Sequence, residues 1–287
     1  MNTLSRLFNP NPRLIREESL LKKKARCPAI SLEKLVQEGA LVSPDSLKPL
    51  FLDLNKKKLF NKKEKFPFLI KSPLLYPKSI LSTIQKKKEL KLRYYKNPLC
   101  QYFLLSQIKQ KGPINAPLNS IAAKKVHFRT QKMCIDLSGN LLDVGSDDPD
   151  HSRFLFPQKC SYLGLDPFCR GTKFRIIALG EVLPFKSHFF DNVVFNTSLD
   201  HILDYHSALC EAHRILKHGG NLIINTYVWL YHATLLSDTV HFHHFRESEL
   251  LANLKKEWQI KKILRYECPK HNKHRFNLVL KAQKKSL

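Results

Sequence analysis

Strand-like and helix-like segments alternate regularly in the second half of this 287-residue chain, and this alternation constrains the fold most. Apolar segments typical of buried strands begin at about Leu141 and read NLLDVG, SYLGLD, FRIIAL, FDNVVFNTS and GNLIINTYV. The last two flank a helix, DYHSALCEAHRILKHGG, expected to end with Lys217 and His218 in its last turn, before Gly219 and Gly220. Strands joined by crossovers predict a parallel sheet with helices on its faces.

The C-terminal segments follow a different pattern. RESELLANLKKE, opened by Arg246 to Glu249, predicts a second helix, and WQIKKILRYEC and RFNLVLKA predict two more strands. Only a short polar connection, PKHNKH, separates these strands, so we expect them to pair as an antiparallel hairpin. The sequence therefore predicts an α/β domain whose mostly parallel sheet ends in an antiparallel hairpin.

Four motifs in residues 141–283, about half of the chain, stand in an order and spacing typical of one family. They read LLDVGS, YLGLDP, GEVLPFKSHFFDNVVFNTSLDHILD and ALCEAHRILKHGGNLIINTY. In these motifs the chain resembles the class I S-adenosylmethionine-dependent methyltransferases, in particular the small-molecule-type methyltransferase domain. The resemblance implies a Rossmann-like sheet, S-adenosylmethionine as cofactor, and methyl transfer to an oxygen or nitrogen of an acceptor that the sequence does not identify.

The resemblance also implies which residues bind the cofactor. Asp166 stands where the family holds both ribose hydroxyls, which a carboxylate can accept in a bidentate manner. Glu181 precedes LPF in the segment that lines the adenine, and Asn196 ends the fourth strand under the methionine end of the cofactor. Two alternatives remain open: Asp166 as a helix N-cap before Pro167, and Glu181 as an exposed loop acid.

The loop after the first strand departs from the family pattern. The family reads Asp-x-Gly-x-Gly-x-Gly, whereas this chain has Asp143, Gly145, Asp147 and Pro149 at those positions. Asp tolerates a left-handed backbone better than most residues, and its carboxylate could contact the ammonium group of the methionine moiety. Pro149 removes one N–H donor but suits the first turn of a helix. The departure keeps open a second hypothesis, a catalytically inactive methyltransferase-like protein that binds RNA or a protein partner.

Candidate histidines precede each of the two predicted helices. His201 follows the fourth strand in SLDHILD, where the family places groups that face the acceptor, so we consider it a candidate general base. His241, His243 and His244 precede the second helix and could flank the acceptor site together with Asp238. A packing or surface role is the alternative for each of the four. The H-x-H-H spacing is not a recognised metal motif without further ligands, so we predict no metal.

Three segments precede the domain that we predict at residues 141–287. Residues 1–40 form a basic extension with one amphipathic piece, SLEKLVQEGAL. Residues 41–78 consist of short apolar runs cut by turns, which predicts a small β-rich module. The apolar spacing that follows predicts a helical linker region at residues 79–140.

The small β-rich module has a resemblance of its own. LVSPDSLKPLFLDLNKKKLFNKKEKFPFLIKSPLLYP resembles the zinc-ribbon-like module that accompanies and activates tRNA, ribosomal and translation-factor methyltransferases. That module begins with a Cys-Pro-x-Cys knuckle, where this chain has Ser43, Pro44, Asp45 and Ser46. Because hydroxyl groups do not replace thiolates as zinc ligands, the resemblance implies a module without metal. An unrelated β-rich segment is the alternative.

Positive charge is concentrated in the first half. Residues 1–140 contain 29 Lys and Arg against 9 Asp and Glu, within a formal net charge of +25 for the whole chain. Such a field attracts nucleic acid or another acidic partner, and a solvated Lys-rich surface is the alternative interpretation.

Other classes of protein are disfavoured. No run approaches the roughly 18 apolar residues of a membrane span, and the N-terminus has no apolar signal-peptide core, so we expect a cytoplasmic protein. The seven cysteines are scattered, which favours buried free thiols over disulfides or a zinc site. A dinucleotide-dependent oxidoreductase is a weaker third hypothesis, because the chain lacks G-x-G-x-x-G and ends in a hairpin. The oligomeric state stays open.

Overall fold

The computed structural model describes residues 26–42, 51–53, 58–61, 64–69, 121–146, 152–166, 175–176, 178–202, 204–230, 241, 243–268 and 274–285. The helices are α1 (Leu32–Gln37), α2 (Ile121–Met133), α3 (Tyr205–Ile215) and α4 (Glu247–Glu257). The strands are β1 (Phe51–Asp53), β2 (Lys58–Asn61), β3 (Glu64–Leu69), β4 (Gly139–Val144), β5 (Cys160–Leu165), β6 (Arg175–Ile176), β7 (Phe190–Asn196), β8 (Leu216–Trp229), β9 (Trp258–Glu267) and β10 (Arg275–Lys284). Short 3₁₀ turns occur at Arg153–Leu155 and Leu199–His201.

Seven strands form one sheet in the order β6-β5-β4-β7-β8-β10-β9. The first five pair in parallel, and β10 pairs antiparallel with both β8 and β9. This topology confirms the predicted fold class, the Rossmann-like class I methyltransferase sheet with a C-terminal antiparallel hairpin. The carboxyl ends of the parallel strands meet at one edge, which is where open α/β sheets bind ligands.

Helix α3 covers one face of the sheet and ends earlier than we predicted. Its N-terminus is capped by Asp204, whose carboxylate accepts a hydrogen bond from the backbone N–H of Ser207 at 3.1 Å. The helix ends at Ile215, so the expectation that Lys217 and His218 form its last turn is wrong: both belong to β8.

The C-terminal carbonyls of α3 are satisfied by a residue that is distant in sequence. The Lys284 ammonium on β10 donates to the backbone carbonyls of His213, at 2.7 Å, and Leu216, at 3.0 Å. A cation therefore satisfies carbonyls that a helix leaves free at its C-terminus, and no glycine cap is needed. Burial lowers the pKa of Lys284.

The opposite face of the sheet is covered by α2 and includes a polar layer. Met133 and Cys134 pack there with apolar side chains of β4, β5, β7, β8 and β10. Within the same layer the side chains of Thr130, Asn225 and Asn277 are fully buried. They are hydrogen-bonded to one another, as buried polar groups normally are. Helix α2 falls inside the segment that we expected to be a helical linker, yet it packs on the sheet.

Residues 26–42 also pack on the sheet. The backbone N–H of Ile30 donates to the carbonyl of Tyr162 at 2.7 Å, and Tyr162 donates to the carbonyl of Pro28 at 2.8 Å, so this segment lines the edge of β5. Leu35 and Leu41 are buried in the larger apolar core. Leu35, from the predicted basic extension, and Leu41, from the start of the predicted β-rich module, thus contribute to the domain core, while the domain boundaries stay a prediction.

The strands β1, β2 and β3 form a separate antiparallel sheet in that order. They lie inside the segment predicted as a β-rich module. Ser43 and Ser46 fall outside the described residues, so the resemblance to a zinc-ribbon-like module without metal stays a prediction. Among the described helices, none combines the length and apolar character that a membrane crossing requires.

The five described cysteines are free. Cys27, Cys134 and Cys160 are buried in the core under α2, and Cys210 is exposed. Burial raises the pKa of Cys27 to about 12 and that of Cys160 to about 11. Thiols of this kind are inert, because the thiolate is the nucleophile and the metal ligand.

Candidate functional site

The loop that follows β4 requires glycine at position 145. Gly145 has a φ of +80°, and a Cβ at this position would lie 2.3 Å from Cβ of Ser198, which follows β7. The Gly145 N–H donates to the carbonyl of Leu165 at 2.7 Å. The first glycine of the family pattern is therefore needed to pack the β4 and β7 loops together. Asp147 and Pro149 fall outside the described residues, and their expected roles stay predictions.

Asp143 is buried beneath this loop. Its side chain is 1% exposed, and its Oδ2 accepts a hydrogen bond from the hydroxyl of Tyr162 at 2.9 Å. Burial, followed by the negative charge of Asp143, raises the pKa of Tyr162 well above its usual value. The hydrogen bond between Tyr162 and Asp143 ties β5 to β4 within the domain. The cofactor contact that we expected for Asp143 stays a prediction.

Asp166 stands directly after β5, at the carboxyl edge of the sheet. Its backbone N–H donates to the carbonyl of Ile176 at 3.1 Å, which fixes the residue between β5 and β6. The side chain is 6% exposed. A buried carboxylate at this edge suits a ligand with paired hydroxyl groups.

Glu181 is buried, with 5% of its surface exposed, so the alternative of an exposed loop acid is wrong. Its Oε1 accepts a hydrogen bond from the backbone N–H of Asp204, the cap residue of α3, at 3.3 Å. Glu181 therefore connects the segment after β6 with the start of α3.

Asn196, the last residue of β7, faces the polar layer under α2. Its Oδ1 accepts hydrogen bonds from the Thr130 hydroxyl at 2.6 Å and from Nδ2 of Asn225 at 3.1 Å. The cofactor contact that we expected for Asn196 stays a prediction, and these partners give its carbonyl oxygen a structural role.

Thr197 adopts a strained backbone conformation that the sequence pattern did not reveal. Its φ is 57°, in the left-handed region, which is unusual for a β-branched residue. Its N–H donates to the carbonyl of Asn225 at 2.7 Å, and the following residue, Ser198, donates its hydroxyl to the carbonyl of Val144. Backbone strain of this kind accumulates at functional sites, because the surrounding structure must hold it in place.

A cluster of titratable side chains follows Thr197 on the turn Leu199–His201. Asp200 is 2% exposed, and its Oδ1 and Oδ2 lie 4.0 Å from Nε2 of His201 and 3.7 Å from Nε2 of His241, respectively. The two imidazole rings lie 4.6 Å apart, centroid to centroid. We call these three residues the Asp200 cluster. Sequence reasoning found both histidines and missed Asp200, although it stands directly before His201.

The other two histidines of HFHHF have packing contacts. The His243 N–H donates to the carbonyl of Asp200 at 3.2 Å, and its Nε2 bonds to the carbonyl of Ile202 at 2.8 Å. The ring of His244 packs against Trp229, with the centroids 4.3 Å apart. For these two residues the packing alternative is supported. Asp238 falls outside the described residues.

Among models of known protein families, one matches part of this chain. A family model described as the methyltransferase domain matches residues 121–224, which span α2 to the middle of β8. No curated protein matches the chain.

Solved structures with a related fold include NodS, an N-methyltransferase from Bradyrhizobium japonicum in complex with S-adenosylhomocysteine. It is 12% identical, with 58% of this chain and 90% of that chain covered and a TM-score of 0.47. The 1,6-didemethyltoxoflavin-N1-methyltransferase of Burkholderia thailandensis is 15% identical, with coverages of 82% and 98% and a TM-score of 0.45. The [4+2]-cyclase SpnF is also 15% identical, with coverages of 65% and 92% and a TM-score of 0.48.

Proposed function

We propose that the sheet domain is an S-adenosylmethionine-dependent methyltransferase that transfers a methyl group to an oxygen or nitrogen of an acceptor. The methyltransferase-domain match carries the proposal, because residues 121–224 include the loop after β4, the end of β5 and the end of β7. These strand ends lie at the edge where an α/β sheet binds its ligand. The acceptor itself is not identified by these residues.

Each strand end has a distinct part in the proposed reaction. The close packing at Gly145 would set the edge of the site where the cofactor lies, and the buried carboxylate of Asp166 would bind the two ribose hydroxyls. The cofactor supplies a methyl sulfonium that is already activated. The protein therefore has to align donor and acceptor and exclude water.

His201 stands on the acceptor side of this arrangement. It follows β7, and 28% of its side chain is exposed, so an acceptor could reach it. We assign it the role of a general base that accepts a proton when the attacking oxygen or nitrogen carries one.

Calorimetric titration of the full chain with S-adenosylhomocysteine tests the proposal. We expect saturable binding, weakened by about 1.5–3 kcal/mol in Asp166→Ala, since hydrogen bonds to a charged group are worth that much. The matched control is Asp136→Ala, because Asp136 is 66% exposed and pairs with Lys281 far from the strand ends. Unchanged affinity in Asp166→Ala would place the cofactor elsewhere. No heat and no thermal shift at millimolar cofactor would contradict the proposal as a whole.

A second candidate function is a catalytically inactive protein that binds RNA or a protein partner through its basic first half. The altered loop at Asp147 and Pro149 and the excess of Lys and Arg in residues 1–140 favour it. The same titration separates the two candidates, because an inactive relic has no need to retain cofactor affinity.

A further inference from the structure

Asp200 is a buried carboxylate that the described part of the fold leaves incompletely satisfied. The side chain is 2% exposed, and its Oδ1 has no hydrogen-bond partner among the described residues. Burying an ionised oxygen without a partner is costly, so a native protein normally supplies a donor or a cation. The two nearest cationic or metal-binding groups are the imidazoles of His201 and His241.

The geometry of the Asp200 cluster is close to that of a metal site. One ligand atom from each of Asp200, His201 and His241 can be chosen so that all three lie within 4.8 Å of one another. Nε2 of His241 lies 3.7 Å from Oδ2 of Asp200, and Nε2 of His201 lies 4.0 Å from Oδ1 of the same carboxylate. Metal bonds of about 2.0–2.2 Å in a tetrahedral arrangement separate neighbouring ligand atoms by about 3.3–3.5 Å. The three ligand atoms therefore need to approach one another by no more than about 1.4 Å to enclose an ion.

We propose that Asp200, His201 and His241 bind one divalent transition-metal ion. Two imidazole nitrogens and one carboxylate oxygen suit zinc, iron, cobalt or nickel, whereas magnesium and calcium prefer all-oxygen ligands. The sequence led us to expect no metal, since the H-x-H-H spacing lacks further ligands. Asp200 and His201, which lie on the turn after β7, supply the further ligands that His241 needs.

Contacts around the cluster hold its two segments together. The backbone N–H of His243 donates to the carbonyl of Asp200, and the His243 ring bonds to the carbonyl of Ile202. These bonds fix the segment that carries His241 against the turn that carries the other two ligands. These contacts fix the backbone that carries the proposed ligands, while the ligand side chains themselves are not among their partners.

The location of the site suggests its use, and this step depends on the proposed function. Asp200 stands two residues after Ser198, which contacts the Gly145 loop, so the ion would lie on the acceptor side of the cofactor. Three protein ligands leave at least one coordination position for an acceptor oxygen or nitrogen. The ion would orient the acceptor and lower the pKa of a bound hydroxyl. His201 then acts as a ligand, and the ion replaces it in activating the acceptor.

Cobalt(II) titration tests the site in the full chain, without an affinity tag and after treatment with a chelator. We expect one equivalent of cobalt to bind and to give visible absorption bands, which zinc then bleaches by displacement. Asp200→Asn and His241→Gln should each weaken binding at least tenfold, with folding checked by circular dichroism. The matched control is His218→Gln, since His218 and His188 form another stacked histidine pair, 4.7 Å apart, at the opposite edge of the sheet.

Two results would overturn the metal site. One is cobalt binding that survives in both Asp200→Asn and His241→Gln, and the other is binding that disappears only in His218→Gln. Titration of the metal-free wild-type chain with S-adenosylhomocysteine keeps the two proposals apart. Cofactor binding without cobalt binding refutes the metal site alone, and cobalt binding without cofactor binding refutes the proposed function alone.

Discussion

Two buried aspartates at neighbouring strand ends differ in what the fold provides for them. Asp143, at the end of β4, is 1% exposed and accepts a hydrogen bond from the Tyr162 hydroxyl. Asp200, after β7, is 2% exposed, and its Oδ1 and Oδ2 lie 4.0 Å and 3.7 Å from the imidazoles of His201 and His241. Equal burial is therefore compatible with different surroundings. A hydrogen bond ties the carboxylate of Asp143 to the next strand, whereas the groups beside the carboxylate of Asp200 are the two imidazoles of the proposed metal site.

The loops around the two aspartates show the same difference. The β4 loop is fixed by close packing, since Gly145 lies against Ser198 and leaves no room for a Cβ. The β7 loop carries the strained backbone of Thr197. Strain and an unsatisfied carboxylate in one loop both cost stability, which a protein tolerates where function requires it. The comparison predicts that substitutions at the end of β4 mainly lower stability, whereas those after β7 mainly affect binding.

The largest effect is expected from Gly145→Ala. The new Cβ would lie 2.3 Å from Cβ of Ser198, and the φ of +80° is strained for alanine. Overpacking and strain together should lower the free energy of unfolding by about 2–5 kcal/mol. Urea denaturation measures this change.

The control for Gly145→Ala is the double variant Gly145→Ala/Ser198→Gly. Removing the Ser198 side chain removes the collision but also removes the hydrogen bond from its hydroxyl to the Val144 carbonyl, which costs about 1 kcal/mol. Because the collision costs more than this bond, the double variant should still be more stable than Gly145→Ala. A double variant that is no more stable would show that the collision with Ser198 is not what limits this loop.

The sheet could be predicted from the sequence because its strands are short apolar runs with clear breaks. NLLDVG, SYLGLD and FDNVVFNTS became β4, β5 and β7. The end of α3 was missed because its C-terminal carbonyls are satisfied by Lys284, about 70 residues later in the chain, which no local pattern reveals. The packing of residues 26–42 was missed for the same reason, since their partners lie in β5 and beside Phe185.

The site could be predicted only in part. Asp166, Glu181 and Asn196 were predicted as cofactor-binding residues from the order of the motifs, and those contacts stay predictions. The structure shows that Glu181 and Asn196 have partners inside the domain. Asp200 was missed, because its burial and its distance to His241 depend on two segments that are about 40 residues apart. A signal was present all the same: an aspartate directly before a candidate histidine, at the end of a buried strand.

A smaller loss of stability is expected from Asp143→Ala, about 2 kcal/mol, because a buried hydrogen bond to a charged group disappears. Urea denaturation again gives the value. Tyr162→Phe is the matched variant, and the double variant should cost less than the two single changes added together, since both remove the same bond. Strictly additive costs would show that Asp143 stabilises the domain through other contacts.

The smallest effect, and the one with the opposite sign, is expected from Asp200→Asn in the metal-free protein. A neutral amide is less costly to bury than a carboxylate oxygen without a hydrogen-bond partner, so the free energy of unfolding should rise by about 1 kcal/mol. The control is Asp136→Asn, which removes an exposed ion pair with Lys281 and should change stability by no more than about 0.5 kcal/mol. With zinc added, the wild type should have the larger free energy of unfolding and Asp200→Asn the smaller, because an ion that binds only the folded wild type stabilises it by mass action. If Asp200→Asn instead destabilises the metal-free protein, the carboxylate is used by the fold, and the contrast with Asp143 disappears.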